Sequence, residues 1–241
     1  MTGSKARRAL ITGASSGIGK ATALSLAKAG FHIVVLGRSQ AKLDAVVSEI
    51  QKHDVDVRSY CLDLAKVDQV KSSMEAILQD CGQVDVLVNN AGIGYTGTLA
   101  ETPLEDWLYT MNLNLTGVFQ CIQAVLPGMR DRHHGMIINI ASIAASTPFP
   151  GWGAYSVSKA GLVALSKTLA GEERANGIRV VTISPGAVNT PIWDTDTVNA
   201  DFDRSKMLTP DVIADTILHA VQMPVYAVVE EMTVTPSAGA L

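Results

Sequence analysis

Aromatic residues are scarce in this chain. Phe, Trp and Tyr make up 5% of its 241 residues, so the core has to be built from aliphatic side chains. Cysteine is also rare: Cys61, Cys81 and Cys121 are isolated, odd in number and without a C-x-x-C pair. That pattern excludes a disulfide framework, argues against bulk redox or thiolate–metal chemistry, and suits a reducing cytoplasm. Positive charge is not in excess. Lys and Arg number 19 against 23 Asp and Glu, a net charge of -4, which leaves little to neutralise a nucleic-acid backbone. Long apolar runs are missing too. The first, after the short polar stretch Met1 to Arg8, breaks at Gly13, far below the ~18 residues of a membrane span. No targeting segment or membrane anchor is expected, so Asn114-Leu115-Thr116 reads as a chance glycosylation acceptor. The histidines are scattered. His133-His134 sits in a polar turn without ligands at useful spacing, and no metal site is expected.

Aliphatic residues are plentiful. Hydrophobic residues total 47%, enough in a chain of this length to bury a large core without staples. Short apolar runs alternate with helix-length amphipathic stretches. Strands are predicted at Ala9–Thr12, Ile33–Leu36, Val57–Cys61, Val84–Val88, Met136–Ile140, Val180–Ile183 and Val225–Val229. Helices are predicted at Ile18–Ala29 and Gln40–His53, where Leu43, Val46, Val47 and Ile50 fall on one face. Strands that read as continuous apolar runs are those covered on both faces. The pattern predicts an α/β fold: a doubly wound parallel sheet of Rossmann type, as one domain over residues 1–241. The one shift in composition is Asn189 to Met207, polar and Asp-rich with Trp193 and Phe202 embedded, which predicts a lid over about 189–207.

The first strand runs into Thr12-Gly13-Ala14-Ser15-Ser16-Gly17-Ile18-Gly19, and a helix follows. Glycines there let the backbone turn sharply and approach a pyrophosphate, with the amides of the helix start pointing at it. A P-loop is excluded, because Ala14 and Ala21 stand where that motif needs glycine and Ser/Thr. After the second strand an acidic residue would bind a free ribose hydroxyl. This chain has Gly37-Arg38-Ser39, a cation without a carboxylate, which selects NADP; a solvated arginine opening the next helix is the alternative. Asp63, after the third strand, either accepts from the adenine amine or caps the next helix.

Tyr155 and Lys159 stand at i and i+4, neighbours on one helix face. A phenol with a pKa of ~10 becomes a useful proton shuttle when a nearby cation favours its ionised form. Ser142 follows a predicted strand at the end where open α/β sheets hold ligands.

Together, Thr12-Gly13-x-x-x-Gly17-x-Gly19, Asn89-Asn90-Ala91-Gly92, Asn114, Ser142, Tyr155-x-x-x-Lys159 and Pro185-Gly186 resemble the short-chain dehydrogenase/reductase family, over roughly Ala6 to Met223. The resemblance implies a Rossmann-type enzyme moving hydride between a nicotinamide and a carbonyl or alcohol. It implies that Tyr155 donates and accepts the proton. Lys159 would lower its pKa and hold the nicotinamide ribose, Ser142 would orient the substrate oxygen, and Asn114 would bind a water leading from Lys159 to solvent. Asn112 does not fit the family's N-x-x-G spacing, whereas Asn114 does. Cofactor contacts are expected from Gly13, Ser15, Ser16, Gly17, Ile18, Gly19, Arg38, Asp63, Leu64, Asn90, Ala91, Gly92, Tyr155, Lys159, Pro185, Gly186, Val188 and Thr190. At the C-terminal end, Glu230-Glu231-Met232-Thr233 replaces the Asp-Gly-Gly stretch of many members.

Tyr95, Phe149, Trp152 and Trp193 are expected to wall a largely apolar substrate pocket; Phe149 and Trp152 would otherwise pack on a neighbouring subunit. A small or medium apolar ketone or aldehyde is the expected substrate, as in carbonyl reductases. The alternative is 3-oxoacyl-[acyl-carrier-protein] reduction. It calls for a basic docking face, to which Arg130 and Arg132 could contribute, although Asn176 stands where carrier-docking members commonly have arginine. A non-catalytic NADP sensor would generally have lost the tyrosine or lysine, and this chain keeps both. Two further helices, expected over Leu104–Met129 and Ala154–Ala175, carry apolar or small residues on more faces than one monomer can cover. With Ala154, Ser158, Gly161 and Ala164 permitting close approach, the resemblance implies a homotetramer.

Overall fold

A computed structural model describes residues 7–200 and 202–239. Residues 1–6 of the polar opening stretch and Asp201 of the expected lid lie outside the described residues. Seven strands, β1 (Arg8–Thr12), β2 (His32–Gly37), β3 (Val57–Cys61), β4 (Val86–Asn89), β5 (Gly135–Ile140), β6 (Ile178–Pro185) and β7 (Glu231–Val234), form one sheet. All pair in parallel, in the order β3-β2-β1-β4-β5-β6-β7. Helices α1 (Gly17–Lys28), α2 (Gln40–Ile50), α3 (Val67–Cys81), α4 (Leu104–Met111), α5 (Gly117–Asp131), α6 (Gly153–Glu173) and α7 (Pro210–Gln222) cover both faces. No helix among the described residues is long and apolar enough to cross a membrane.

The apolar runs of the strands divide between two cores by the period-2 rule. Ala9 and Ile11 of β1 join Leu26 of α1, Leu43 of α2 and Ile217 of α7 on one face. Leu10 joins Met74 of α3, Ile122 of α5 and Leu162 of α6 on the other. Strand order reverses between β1 and β4, so their carboxyl ends, Thr12 and Asn89, border the crevice in which such sheets hold ligands. The β4–β5 register sets Asn89 opposite Asn139. Asn89 Nδ2 donates to Asn139 Oδ1 at 2.8 Å, and Asn139 Nδ2 donates to Ser166 Oγ of α6 at 2.8 Å. This buried polar ladder ties the central strands to the helix that carries Tyr155 and Lys159.

Two expectations about the elements are corrected. Val225–Val229 is not a strand. Val225 and Tyr226 are exposed, and the seventh strand starts at Glu231, where the ladder with β6 begins at Thr182. As a half-exposed edge strand, β7 lacks the continuous apolar run of its neighbours. The single helix expected over Leu104–Met129 is interrupted by one π-helical turn, Asn112–Thr116, with Asn114 at its centre. The buried amide of Asn114 bonds the backbone of Ile93 there, and such wide turns recur at functional sites. Of the four small residues expected to admit a second subunit, Ala154 and Ser158 are buried within the chain, and a Cβ on Gly161 would come within 2.8 Å of Leu115 Cδ2. Ser158 and Gly161 thus pack on the π-turn of the same chain, while Ala164 is exposed.

Candidate active site

The glycine loop after β1 is held by the loop after β4. Thr12 Oγ1 accepts from the amides of Asn90 and Ala91, each at 3.0 Å, and Asn90 Nδ2 donates to Thr12 O at 3.0 Å and Gly13 O at 3.2 Å. Gly13 and Gly17 adopt φ of +64° and +53°, and a Cβ on Gly13 would come within 2.8 Å of Ala91 Cα. Gly19 does not line the cleft. It is buried behind the loop, where a Cβ would run into Gly13 O and the Asn90 side chain. Ser16 precedes α1 in an extended conformation and its side chain bonds none of the first-turn amides. Those amides stay free for an anion at the wall that Gly17 and Ile18 form.

From this loop one cleft of about 640 Å³ runs in two directions. Toward β2 and β3 it is lined by Gly37, Arg38, Lys42, Leu62 and Leu64. A Cβ on Gly37 would stand 3.5 Å from Ser15 Oγ and 3.2 Å from Leu43 Cδ2, so glycine keeps this slot open. Arg38 is exposed and donates from Nη1 to the Tyr109 phenol oxygen at 2.6 Å. Asp63 is not on the cleft wall; its Oδ1 accepts from Ala65 N at 3.1 Å, tightening the turn before α3, whose N-cap is Lys66. The glycine cradle and the uncapped helix start together fit the pyrophosphate of a nicotinamide dinucleotide.

In the other direction the cleft passes Asn90–Gly94, Ser142, Tyr155, Lys159 and Pro185–Val188, and reaches Thr190. Ser142 follows β5 and accepts at Oγ from Ala144 N at 3.1 Å, which fixes its side chain. Tyr155 and Lys159 rise from α6. Lys159 is buried and donates from Nζ to Ile140 O at 2.8 Å; burial pulls its pKa down to about 8. Burial pushes the Tyr155 phenol above its ordinary value, and the neighbouring Ser142 hydroxyl offsets only part of that rise. Asn114 is buried away from the cleft surface. Its Nδ2 donates to Ile93 O and Ser158 Oγ, both at 3.0 Å, and its Oδ1 accepts from Ile93 N at 2.9 Å. A Cβ on Gly92 would touch both Asn114 Oδ1, at 3.0 Å, and Lys159 Nζ, at 3.5 Å, so this glycine lets the two approach.

Beyond Tyr155 the walls are aromatic. Trp152 meets the Tyr155 ring edge-on at 5.5 Å between centroids, Trp193 meets Trp152 at 5.9 Å, and Phe202 meets Trp193 at 5.3 Å. Phe149 also lines this end. Tyr95 does not, contrary to expectation: it is buried and its hydroxyl donates to Asp106 Oδ2 on α4 at 3.0 Å. Phe202 takes a wall position instead, a role for which its aromatic ring in a polar segment was the available signal. The segment 189–207 is tied down at several points. Trp193 Nε1 donates to Val188 O at 2.7 Å, and Thr197 Oγ1 donates to Gly94 O at 2.7 Å. Arg204, which sequence reasoning missed, joins Asn189 Oδ1 at 2.9 Å, Thr190 O at 3.0 Å and Asp194 Oδ1 at 2.5 Å.

The model of the short chain dehydrogenase family matches residues 7–200. A 3-oxoacyl-[acyl-carrier-protein] reductase of Synechocystis is 38% identical, over 99% of this chain and 98% of the relative. The corresponding reductase of Thermotoga maritima is 37% identical over 87% of each. Among solved structures, an alcohol dehydrogenase from the archaeon Thermococcus sibiricus complexed with 5-hydroxy-NADP superposes with a TM-score of 0.89 at 29% identity, covering 98% of this chain and 99% of the other. A metagenomic short-chain oxidoreductase in complex with NADP gives 0.84 at 32% identity, covering 96% and 97%. With the family pattern running through the whole sheet and its cleft, the chain belongs to the short-chain dehydrogenase family of oxidoreductases.

Proposed function

We propose that the protein is an NADP(H)-dependent reductase of apolar ketones or aldehydes, with the reverse alcohol oxidation at the same site. The observation that carries this reading is one continuous cleft with Ser142, Tyr155 and Lys159 at one end and Arg38 at the other. A bound nicotinamide dinucleotide supplies the hydride for the substrate carbon. Tyr155 gives the proton to the oxygen that becomes a hydroxyl, and Ser142, fixed by Ala144 N, orients that oxygen and stabilises its developing charge. Lys159 anchors the cofactor ribose and holds a proton next to the phenol. Both Nδ2 hydrogens of Asn114 are engaged, so a water leading from Lys159 to solvent is held by the oxygens of this residue. The NADP contacts run from the glycine loop through Asn90–Gly92 to Pro185, Gly186, Val188 and Thr190. Phe149, Trp152, Trp193 and Phe202 favour an uncharged substrate.

The names of the Synechocystis and Thermotoga relatives favour a second reading, reduction of 3-oxoacyl groups on a carrier protein. Against it, one of the two arginines that would dock an acidic carrier is already paired with a carboxylate and the other is tied to the backbone. Arg130 forms an ion pair with the buried Glu173, which Asn176 also bonds, and Arg132 donates to Val84 O at 2.9 Å. Exposed Phe119 on α5 and Val157 on α6 support a homotetramer built on these helices, and light scattering tests it.

Nicotinamide oxidation with both cofactors, across ketones, aldehydes, a diketone and a 3-oxoacyl thioester, tests the function. Turnover of apolar carbonyls with NADPH supports the reading. Preference for the thioester overturns it in favour of carrier chemistry, and cofactor binding without turnover overturns the enzyme itself.

A further inference from the structure

Arg38 makes no ion pair among the described residues. Its guanidinium instead reaches the phenol of Tyr109, 71 residues further along the chain, at 2.6 Å. Tyr109 lies in α4, and its ring packs on the second core cluster, so the phenol is a fixed post and the arginine the long arm that leans on it. The phenol oxygen accepts from Arg38, and among the described residues nothing accepts the phenolic hydrogen. That leaves the remaining guanidinium N–H groups of Arg38 as the directed donors at the adenosine end of the cleft. Such planar, charged donors suit phosphate oxygens. Lys42 lines the same end but is a point charge without a fixed direction.

Resting on the NADP reading above, we propose that Tyr109 is a positioning residue for cofactor choice: it holds Arg38 across the adenosine mouth, oriented for a ribose 2′-phosphate. An unsupported exposed arginine has to be ordered when the phosphate arrives, and the Tyr109 bond supplies that order in advance. Arg38 carries the charge; Tyr109 carries its direction.

The test is calorimetric binding of NADPH and NADH to the wild type, Tyr109→Phe, Arg38→Ala and the double variant. Phe keeps the ring on the core and removes only the hydroxyl. Tyr109→Phe is expected to weaken NADPH by roughly five- to tenfold and NADH by less than about twofold. In the Arg38→Ala background the same change is expected to alter NADPH binding by less than about twofold, since the group to be positioned is gone. Equal weakening of both cofactors, or an unchanged effect in the Arg38→Ala background, overturns the positioning role. Equal affinity of the wild type for NADPH and NADH overturns the NADP reading itself, and with it this one; the wild-type measurement separates the two failures.

Discussion

Lys159 points its ammonium at the carbonyl oxygen of Ile140, 2.8 Å away, with Nζ 5.9 Å from the centre of the Tyr155 ring. Their i, i+4 spacing sets them on one face of α6, but burial drives both toward neutrality: the phenol up, and the ammonium down to about 8. Stability is therefore given up at the site where chemistry is placed.

Lys159→Met is accordingly expected to stabilise the fold while abolishing turnover. Lowering a lysine from 10.5 to about 8 corresponds to roughly 3 kcal/mol, from which the loss of the Ile140 bond subtracts about 1–2. Below pH 8 the lysine is charged in folded and unfolded chains alike, and the folded state bears the whole cost of burying it. Between about 8 and 10.5 the unfolded chain holds the proton that the folded one has lost, so wild-type stability rises with pH. Denaturant unfolding should show a gap of about 1–2 kcal/mol at pH 7, closing toward pH 10. A variant less stable than wild type at pH 7 contradicts this account.

Tyr155→Phe removes the proposed proton donor and leaves the aromatic contact with Trp152. Turnover is expected to fall by about 100-fold or more, with NADPH binding retained. Ser142→Ala removes a fixed hydroxyl and is expected to cost about 100-fold in kcat. Steady-state rates beside binding titrations check both; wild-type turnover in either variant removes that residue from the mechanism.

Gly37→Asp combined with Arg38→Leu is expected to move preference toward NADH. The carboxylate repels a 2′-phosphate and accepts from a free ribose hydroxyl. The slot is tight, with Leu43 Cδ2 at 3.2 Å from the new Cβ, so a stability loss of about 1 kcal/mol should accompany the switch. The ratio of kcat/KM for the two cofactors reads the outcome; an unchanged ratio means that the phosphate is read elsewhere.

Arg204→Ala cuts the ties from this residue to Asn189, Thr190 and Asp194. The aromatic wall carried by the same segment should loosen, raising the substrate KM by roughly fivefold, as expected for losing about 1 kcal/mol of ordering. Chymotrypsin cleavage at Trp193 or Phe202 should accelerate in parallel. Unchanged KM and cleavage would mean that the Trp193–Val188 and Thr197–Gly94 bonds hold the segment alone.

Local periodicity made much of this readable in advance. Ala9 to Thr12 reads as a buried strand because both faces of β1 are covered, and Gly13 and Gly17 mark backbone that only glycine adopts without strain. The seventh strand escaped because an edge strand with one exposed face carries a weak signal, while the more apolar Val225–Val229 lies outside the ladder. The π-turn at Asn112–Thr116 escaped because helix period alone cannot register one widened turn.

The first six strands, the glycine loop and the pairing of Tyr155 with Lys159 were determined by the sequence alone, since each depends on spacing within one strand, turn or helix. Side-chain direction across long separations was decided only by the tertiary structure. It turned Tyr95 to Asp106 and brought Phe202 to the cleft, neutralised Arg130 with Glu173, and set Arg38 on Tyr109. Those pairings join residues on different elements, and the packing that joins them has no counterpart in local spacing.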